Sequence, residues 1–314
     1  MLSLYKLEIF SVAVGAGSFS KAAERLFLTQ SAVSQHIQDL EHHLGARLFR
    51  RGRRGVELTL AGEILKDYAA NILRLVKEAE NAITDVDLLT SGSVRIGATP
   101  GVDTYLLPDW VGAFQRRFPH LRISLSTGVT AQVVGEILNH MLDIGIVEGE
   151  LNGEPRLAQL VLRSVDQMVV VGRGHPWFNQ KVIDIPALAD QSFIARPANS
   201  HTRQWLDNLL KLNHLELNIV AEFDNPEAIK RAVMAGVGVT ILPQYVVEHE
   251  LALGLLHVLS VRDENLQRTI KLVWNHDEPF NPVTRAFLTH LSSECAPLVK
   301  LLHDGAIDDP EAQP

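Results

Sequence analysis

Cysteine is nearly absent from this chain. Of 314 residues only Cys295 carries a thiol, which excludes an intramolecular disulfide and any multi-cysteine metal site. With Leu291 and Leu298 around it, Cys295 reads as a small core hydrophobe. Long apolar runs are missing too. No stretch approaches the roughly 18 uninterrupted apolar residues of a membrane helix, and the start of the chain lacks a charged region followed by an apolar core. A cytoplasmic protein with no membrane partner is therefore expected. The chemical signatures of common enzymes are also lacking. There is no Gly-x-Ser-x-Gly elbow, phosphate-binding loop or His-Glu-x-x-His segment, and Gly236-x-Gly238 has no third glycine and follows a helical segment. The 13 histidines are scattered, and the adjacent His42 and His43 cannot share one helix face. Catalytic residues, metals and cofactors are accordingly expected to be none.

Positive charge is scarce overall, with 29 Lys and Arg against 37 Asp and Glu for a net of -8. It is concentrated at one end. Residues 1–60 hold eight Lys and Arg and five Asp and Glu, a net of +3 that leaves -11 for the remainder. Within that end, Val33, Ile37, Leu40 and Leu44 recur at helical spacing on one side of a helix starting after Thr29. The opposite side carries Gln30, Ser31, Ser34, Gln35 and Gln38, side chains that donate and accept to base edges and phosphates. Ahead of it, Ser18 or Ser20 can cap a short helix through Leu26 with Ala22, Ala23 and Leu26 inward, and Lys21 adds a cation. Two short helices joined by Phe27-Leu28-Thr29 read as a helix-turn-helix. Behind them, Gly52 and Gly55 split Leu48-Phe49-Arg50 from Val56-Glu57-Leu58 as a hairpin would. That hairpin is a basic wing, with Arg47, Arg50, Arg51, Arg53 and Arg54, and phosphate attracts such a patch through counterion release. The candidate DNA contacts are Ser18, Ser20, Lys21, Thr29, Gln30, Ser31, Ser34, Gln35, Gln38, Arg50, Arg51, Arg53 and Arg54.

These residues resemble the N-terminal pattern of the LysR-type transcriptional regulators. The match runs through Phe10, Gly17-Ser18-Phe19-Ser20, Ala22-Ala23, Leu26, Thr29 to Ser34, Ile37, Leu40-Glu41, Leu44-Gly45, Leu48 to Arg51, and Leu58-Thr59-x-Ala61-Gly62. Ser31 stands where the family commonly has Pro. Later matches are Leu107-Pro108, Phe114, Phe118-Pro119, Asp143 to Ile146, Gly174-His175-Pro176, Ala235 to Val239 and Leu242-Pro243. The resemblance implies a regulator that binds double-stranded promoter DNA. It favours an activator and leaves RNA polymerase open as a further partner.

Between residues 59 and 89, Ala61, Leu65, Tyr68, Ile72, Leu75, Ala79, Ala82, Val86 and Leu89 step by four and three, a coiled-coil seam. One copy has nothing obvious to bury this stripe. It lies either on the chain's own C-terminal part or on the same helix of another subunit, and the resemblance implies the second, in a homodimer or tetramer.

After Ser91-Gly92-Ser93 the pattern turns to α/β alternation. Strands are predicted at 94–98, 121–126, 144–147, 168–171, 218–222 and 239–242, with helices at 104–117, 131–142, 202–213, 226–235 and 283–302. Ligands of such sheets sit beyond the carboxyl ends of strands, where helices begin. The candidate effector residues are Thr99, Pro100, Gly101, Gly128, Thr130, Glu148, Asn199, Ser200, His201, Thr202, Arg203 and Asn225. Asn199 to Arg203 resembles the Ser-Gly-Thr-Arg segment of family members that sense small anions in sulfur and carbon assimilation, with His201 in place of Gly. This implies a small anionic effector with Arg203 as its guanidinium.

The expected architecture is an all-α winged helix-turn-helix over 1–58, a dimerising linker helix over 59–90 and a two-lobed, periplasmic-binding-protein-like α/β effector domain over 91–304. Lobe I takes about 93–162 and 267–304, lobe II about 163–266, and 305–314 is a tail. A solute receptor would share the lobes, but it would need export and would have no use for the reading head.

Overall fold

In the computed structural model the described residues are 2–52, 55–84, 91–151, 153–264 and 266–303, without the side chains of 51, 52, 77, 78, 80–84 and 303. The chain forms two compact units, Met1–Leu88 and Leu89–Pro314.

The first unit runs α1 (Leu4–Ala16), α2 (Phe19–Leu26), α3 (Gln30–Leu44), β1 (Phe49–Gly52), β2 (Gly55–Leu58) and α4 (Leu60–Thr84). Helix α2 stops at Phe27, which takes a left-handed φ of 56°. The chain re-enters helix at Thr29, whose hydroxyl accepts the Ala32 N–H at 3.2 Å and so satisfies a donor the helix leaves open. Helix α3 ends on Gly45 at φ 66°, a conformation a side chain would strain. The apolar stripe closes a small core of Leu7, Phe10, Ala13, Ala22, Ala23, Val33, Ile37 and Leu40. Leu44, expected in that stripe, is 40% exposed because the helix rotates past the core in its last turn. Leu26 is half-buried at the core's edge. The predicted hairpin forms, with Phe49 opposite Leu58 and Arg50 opposite Glu57. Buried Glu41 fixes its entry by accepting the backbone N–H of Leu48 at 2.7 Å and of Phe49 at 3.2 Å.

Helix α4 divides the expected seam. Ala61, Leu65 and Ile72 pack with Ala69 and Leu73 against the chain's own N-terminal core. Leu60 (80%), Ile64 (53%), Tyr68 (64%) and Leu75 (49%) stay exposed on another side. The stripe facing outward is thus offset from the predicted one at every position except Tyr68, Leu75 and the exposed Ala79. The side chain of Ala82, together with Val86 and Leu89, lies outside the described residues.

The second unit runs β3 (Ser93–Ala98), α5 (Pro100–Tyr105), α6 (Leu107–Arg117), β4 (Arg122–Thr127), α7 (Thr130–Leu138), β5 (Ile144–Glu148), β6 (Leu157–Gly172), β7 (Val182–Ile183) and β8 (Ser192–Ala195). It continues with α8 (His201–Leu212), β9 (Asn218–Glu222), α9 (Pro226–Met234), β10 (Thr240–Pro243), α10 (Gln244–Ala252), β11 (Leu256–Val261), β12 (Gln267–Asn275), α11 (Pro282–Leu291) and α12 (Pro297–His303). The eight-stranded mixed sheet has the order β4-β3-β5-β12-β6-β11-β7, with β10 also on β6. Strands β3, β4 and β5 are parallel, and their apolar residues pack with α6 and α11 in the core of lobe I.

Both crossings between lobes lie on paired strands. Strand β6 is antiparallel to β12 from Leu157 to Asp166 and then passes to β10 and β11 from Gln167 to Gly172. The exchange on β6 falls at Asp166-Gln167, opposite the crossing expected near Leu266-Gln267 and a few residues beyond the one expected near Leu162-Arg163. Two expected helices are interrupted. The 104–117 segment breaks at Leu106 because Pro108 suits only a first turn, and 283–302 breaks before Pro297 for the same reason.

Candidate effector cleft and DNA-reading face

On the first unit, Ser20, Lys21, Thr29, Gln30, Ser31, Gln35 and Gln38 are exposed, while Ser18 and Ser34 are half-buried. A groove between α2, α3 and the hairpin is lined by Ser18, Ser20, Gln30, Ser34, Gln38 and Arg50 among others. Four of the expected contacts are already engaged. The Gln35 amide donates to Asp39 at 2.9 Å, Ser31 and Thr29 hydroxyls share a bond at 3.0 Å, and Arg50 pairs with Glu57 at 3.2 Å. Bonds from Gln35 and Lys6 hold the Asp39 carboxyl below the usual carboxylate range. Ser18 caps α2 by position without a side-chain bond. Arg53, Arg54 and the side chain of Arg51 lie outside the described residues.

On the second unit, a cleft of about 530 Å³ including its open mouth lies between the lobes. From lobe I it takes Thr99, Pro100, Gly101, Val129, Thr130 and Glu148; from lobe II, Arg196, Ser200, His201, Thr202 and Pro226, with Leu242, Pro243 and Val246 as its apolar wall. Eight of the twelve predicted effector residues therefore line one cavity, and four do not. Gly128 gives way to Val129, and Asn225 to Pro226, because Asn225 caps α9 by accepting the Glu227 N–H at 2.7 Å. Asn199 is exposed outside the lining.

Arg203 is the fourth, and the consequential one. Its guanidinium bonds Asp207 at 2.9 Å, Glu222 at 2.6 Å and the Arg196 carbonyl at 3.1 Å, so it braces α8 against its neighbours away from the cleft. Burial lowers its pKa, but the bonds from Glu222 and Asp207 outweigh that and raise it. The arginine that lines the cleft is Arg196 instead. Its Nε is buried and has no hydrogen-bond partner among the described residues. Burial pulls its pKa down against the attraction of Asp224 and Glu148. Buried Thr130, which opens α7, likewise has no partner for its hydroxyl.

Glu148 lines the cleft but its carboxylate is occupied. Oε1 accepts Arg268 Nη1 at 2.6 Å and Gln167 Nε2 at 3.0 Å, and Oε2 accepts the Tyr245 hydroxyl at 2.7 Å. Arg268 also donates to the Glu148 carbonyl at 3.0 Å and to the Thr202 hydroxyl at 3.0 Å. A Cβ on Gly149, at φ 111°, would meet Arg268 Nη2, so only glycine leaves room for this pair. Ser200 accepts the Arg203 N–H at 3.1 Å as the cap of α8, and His201 Nδ1 sits 3.0 Å from the Glu150 carbonyl across the mouth. The Thr99 hydroxyl accepts the Glu148 N–H at 3.2 Å, leaving its own proton to donate.

Sequence reasoning missed Arg196, Arg268, Tyr245 and Gln167. Arg196 had a usable signal, since it directly follows β8, but Ser-Phe-Ile-Ala is too short a run to read as a strand. Arg268 and Gln167 gave none, because their partners are 120 and 19 residues away along the chain.

Comparison with known proteins agrees with this anatomy. The pattern of the bacterial regulatory helix-turn-helix protein, lysR family, matches residues 4–63, and that of the LysR substrate binding domain matches 89–296. A probable RuBisCO transcriptional regulator of Trichormus variabilis is 31% identical over 290 residues, covering 91% of this chain and 86% of that one. Full-length CbnR, solved with its target DNA, shares the fold at a TM-score of 0.69 and 20% identity over 94% of this chain and 100% of its own. The regulatory domain of Synechocystis CcmR, solved in complex with 2-PG, gives a TM-score of 0.61 at 26% identity, covering 65% of this chain and 98% of that domain. With both parts of the family's pattern present in order, the chain belongs to the LysR family of bacterial transcriptional regulators and is not an enzyme.

Proposed function

We propose that this regulator binds promoter DNA with α3 in the major groove and answers to a small anionic metabolite held between its lobes. The observation that carries the second part is a cleft with donors left over. Arg196 Nε and the Thr130 hydroxyl are buried there without partners. Two cations, Arg196 and Arg268, meet two carboxylates, Asp224 and Glu148, and the first turns of α7 and α8 open on the cavity through Thr130, His201 and Thr202. An anion supplies acceptors to all of these, and burial makes such bonds stronger than in water. The ligands Thr99, Thr130, His201 and Thr202 are retained from the sequence reading, with Arg196 as the guanidinium in place of Arg203. That CcmR was solved with 2-PG adds a concrete candidate class.

The polar outer side of α3 and the basic hairpin are the DNA surface in this reading. The exposed row Leu60, Ile64, Tyr68 and Leu75 joins two copies, so that two heads read two half-sites. We keep the division 1–58, 59–90 and 91–304, and place the protein in the cytoplasm with its DNA. Among the described residues no helix is long and apolar enough to cross a membrane. Calorimetry on the full chain with sulfate, sulfite, 2-PG and other phosphorylated acids, and carboxylates tests the anion. Saturable binding of at least one, lost in Arg196→Ala, is expected; binding of neutral compounds alone contradicts it.

A further inference from the structure

Two tyrosines reach across the lobes in opposite directions. Tyr105 ends α5 in lobe I and donates to Glu227 Oε2 of α9 in lobe II at 2.9 Å. Tyr245, in the first turn of α10 in lobe II, donates to Glu148 Oε2 of β5 in lobe I at 2.7 Å. Their rings meet edge to face with centroids 6.5 Å apart. Each acceptor is tied to a buried cation of its own. Glu148 holds Arg268, and Glu227 holds Lys230 at 3.0 Å.

Lys230 is 2% exposed, 2.8 Å from Glu250, and its ammonium lies 4.7 Å from the centre of the Tyr105 ring. Burying such a cluster gives little net stability, because desolvation offsets most of the attraction; its best-attested use is to specify one arrangement over another. Here the arrangement specified is the closed pair of lobes. Lys230, Glu227 and Glu250 stay together when the lobes part, whereas the ring and hydroxyl of Tyr105 leave with lobe I. Burial, reinforced by Glu227 at Tyr105 and by Glu148 at Tyr245, pushes both phenols' pKa up, so both remain donors.

The two arms also continue into the cleft. Arg268, bonded to Glu148, donates to Thr202 with the same Nη1 at 3.0 Å. A connected set of contacts therefore runs from Thr202 through Arg268, Glu148, Tyr245 and Tyr105 to Glu227 and Lys230.

We propose that Tyr105 and Tyr245 form a reciprocal interlobe clasp that holds the effector domain closed and carries occupancy of the cleft into the lobe angle. The second half rests on the anion reading above; the clasp itself does not. Hydrogen exchange on the full chain without any ligand tests it. Opening the lobes breaks both arms at once, so Tyr105→Phe should speed exchange of amides around β5 and α10 as well as around α5 and α9. Tyr245→Phe should do the same in the other direction. Each lost bond to a carboxylate is worth roughly tenfold or more in the opening equilibrium, and the double variant should multiply the two factors. Glu227→Gln, which weakens the first arm from lobe II, should reproduce Tyr105→Phe and serves if that variant folds poorly. Faster exchange confined to the mutated arm, or unchanged exchange in all variants, overturns the clasp and leaves the anion reading untouched.

Discussion

The two units treat their polar residues in opposite ways. Gln30 and Gln38 stand exposed on α3, and the described structure gives their side chains no hydrogen bond, while the core beneath is apolar and closed. In the effector cleft, Glu148, Arg268, Gln167 and Thr202 are bound to one another, Ser200 accepts the Arg203 N–H, and a few donors such as Arg196 Nε and the Thr130 hydroxyl are left over. A surface for a large, rigid, charged partner can be built in advance and left wet. A cleft that must change shape needs its polar groups satisfied without a ligand, or the empty state would be too costly to occupy.

The sharpest way to break this contrast is to remove one group from each side and measure stability. Glu148→Ala leaves Arg268 buried without its counter-charge and should cost roughly 3–5 kcal/mol. All four tryptophans, Trp110, Trp177, Trp205 and Trp274, lie in the second unit, so denaturation followed by their fluorescence reports this loss without interference from the first. A variant as stable as the wild type would mean the cleft's network is ornamental. Next in size, Arg196→Ala should weaken anion binding by about 10- to 150-fold, equivalent to about 1.5–3 kcal/mol for a charged hydrogen bond. Arg203→Gln should instead lower stability and leave affinity nearly unchanged. If calorimetry gives the reverse, the sequence-based choice of Arg203 was right. On the other unit, Gln30→Ala should cost roughly 1–3 kcal/mol of preference for the cognate duplex while leaving the melting of that unit unchanged, as competition gel shifts and circular dichroism would show. Smallest, Thr29→Ala removes the cap of α3 and should cost about 1 kcal/mol of stability, distinguishing a structural polar residue from the reading ones beside it.

The first unit was largely legible in the sequence because its determinants are local. The Phe27-Leu28-Thr29 turn, the apolar spacing from Val33 to Leu40 and the glycine-bounded hairpin are each set by neighbours within a few residues. Even there, periodicity misassigned helix α4. Ala61, Leu65 and Ile72 carry a seam's spacing, yet they cover the N-terminal core, and Leu60, Ile64, Tyr68 and Leu75 face outward. An apolar helix with two partners shows one blended stripe, and spacing alone cannot divide it.

The cleft was legible at helix starts and illegible at strands. Thr99, Thr130, Ser200, His201 and Thr202 were found because turn and cap chemistry marks them. Arg196 was passed over because β8 is only four residues long. Strand β12 was missed because its inward Arg268 and Lys271 break the apolar run that a buried strand is expected to show. Those charges are satisfied by Glu148 and Glu150, partners that only the fold brings near.

The central claim is that an anion in the cleft redirects a reading head that is already formed. The most direct test is a nuclease footprint of the full chain on its promoter, at equal occupancy, with and without an anion that calorimetry shows to bind. The account predicts that the protected length or the hypersensitive bend sites shift with the anion, and that Arg196→Ala abolishes the shift while still binding DNA. Identical footprints in the presence and absence of a bound anion would contradict it.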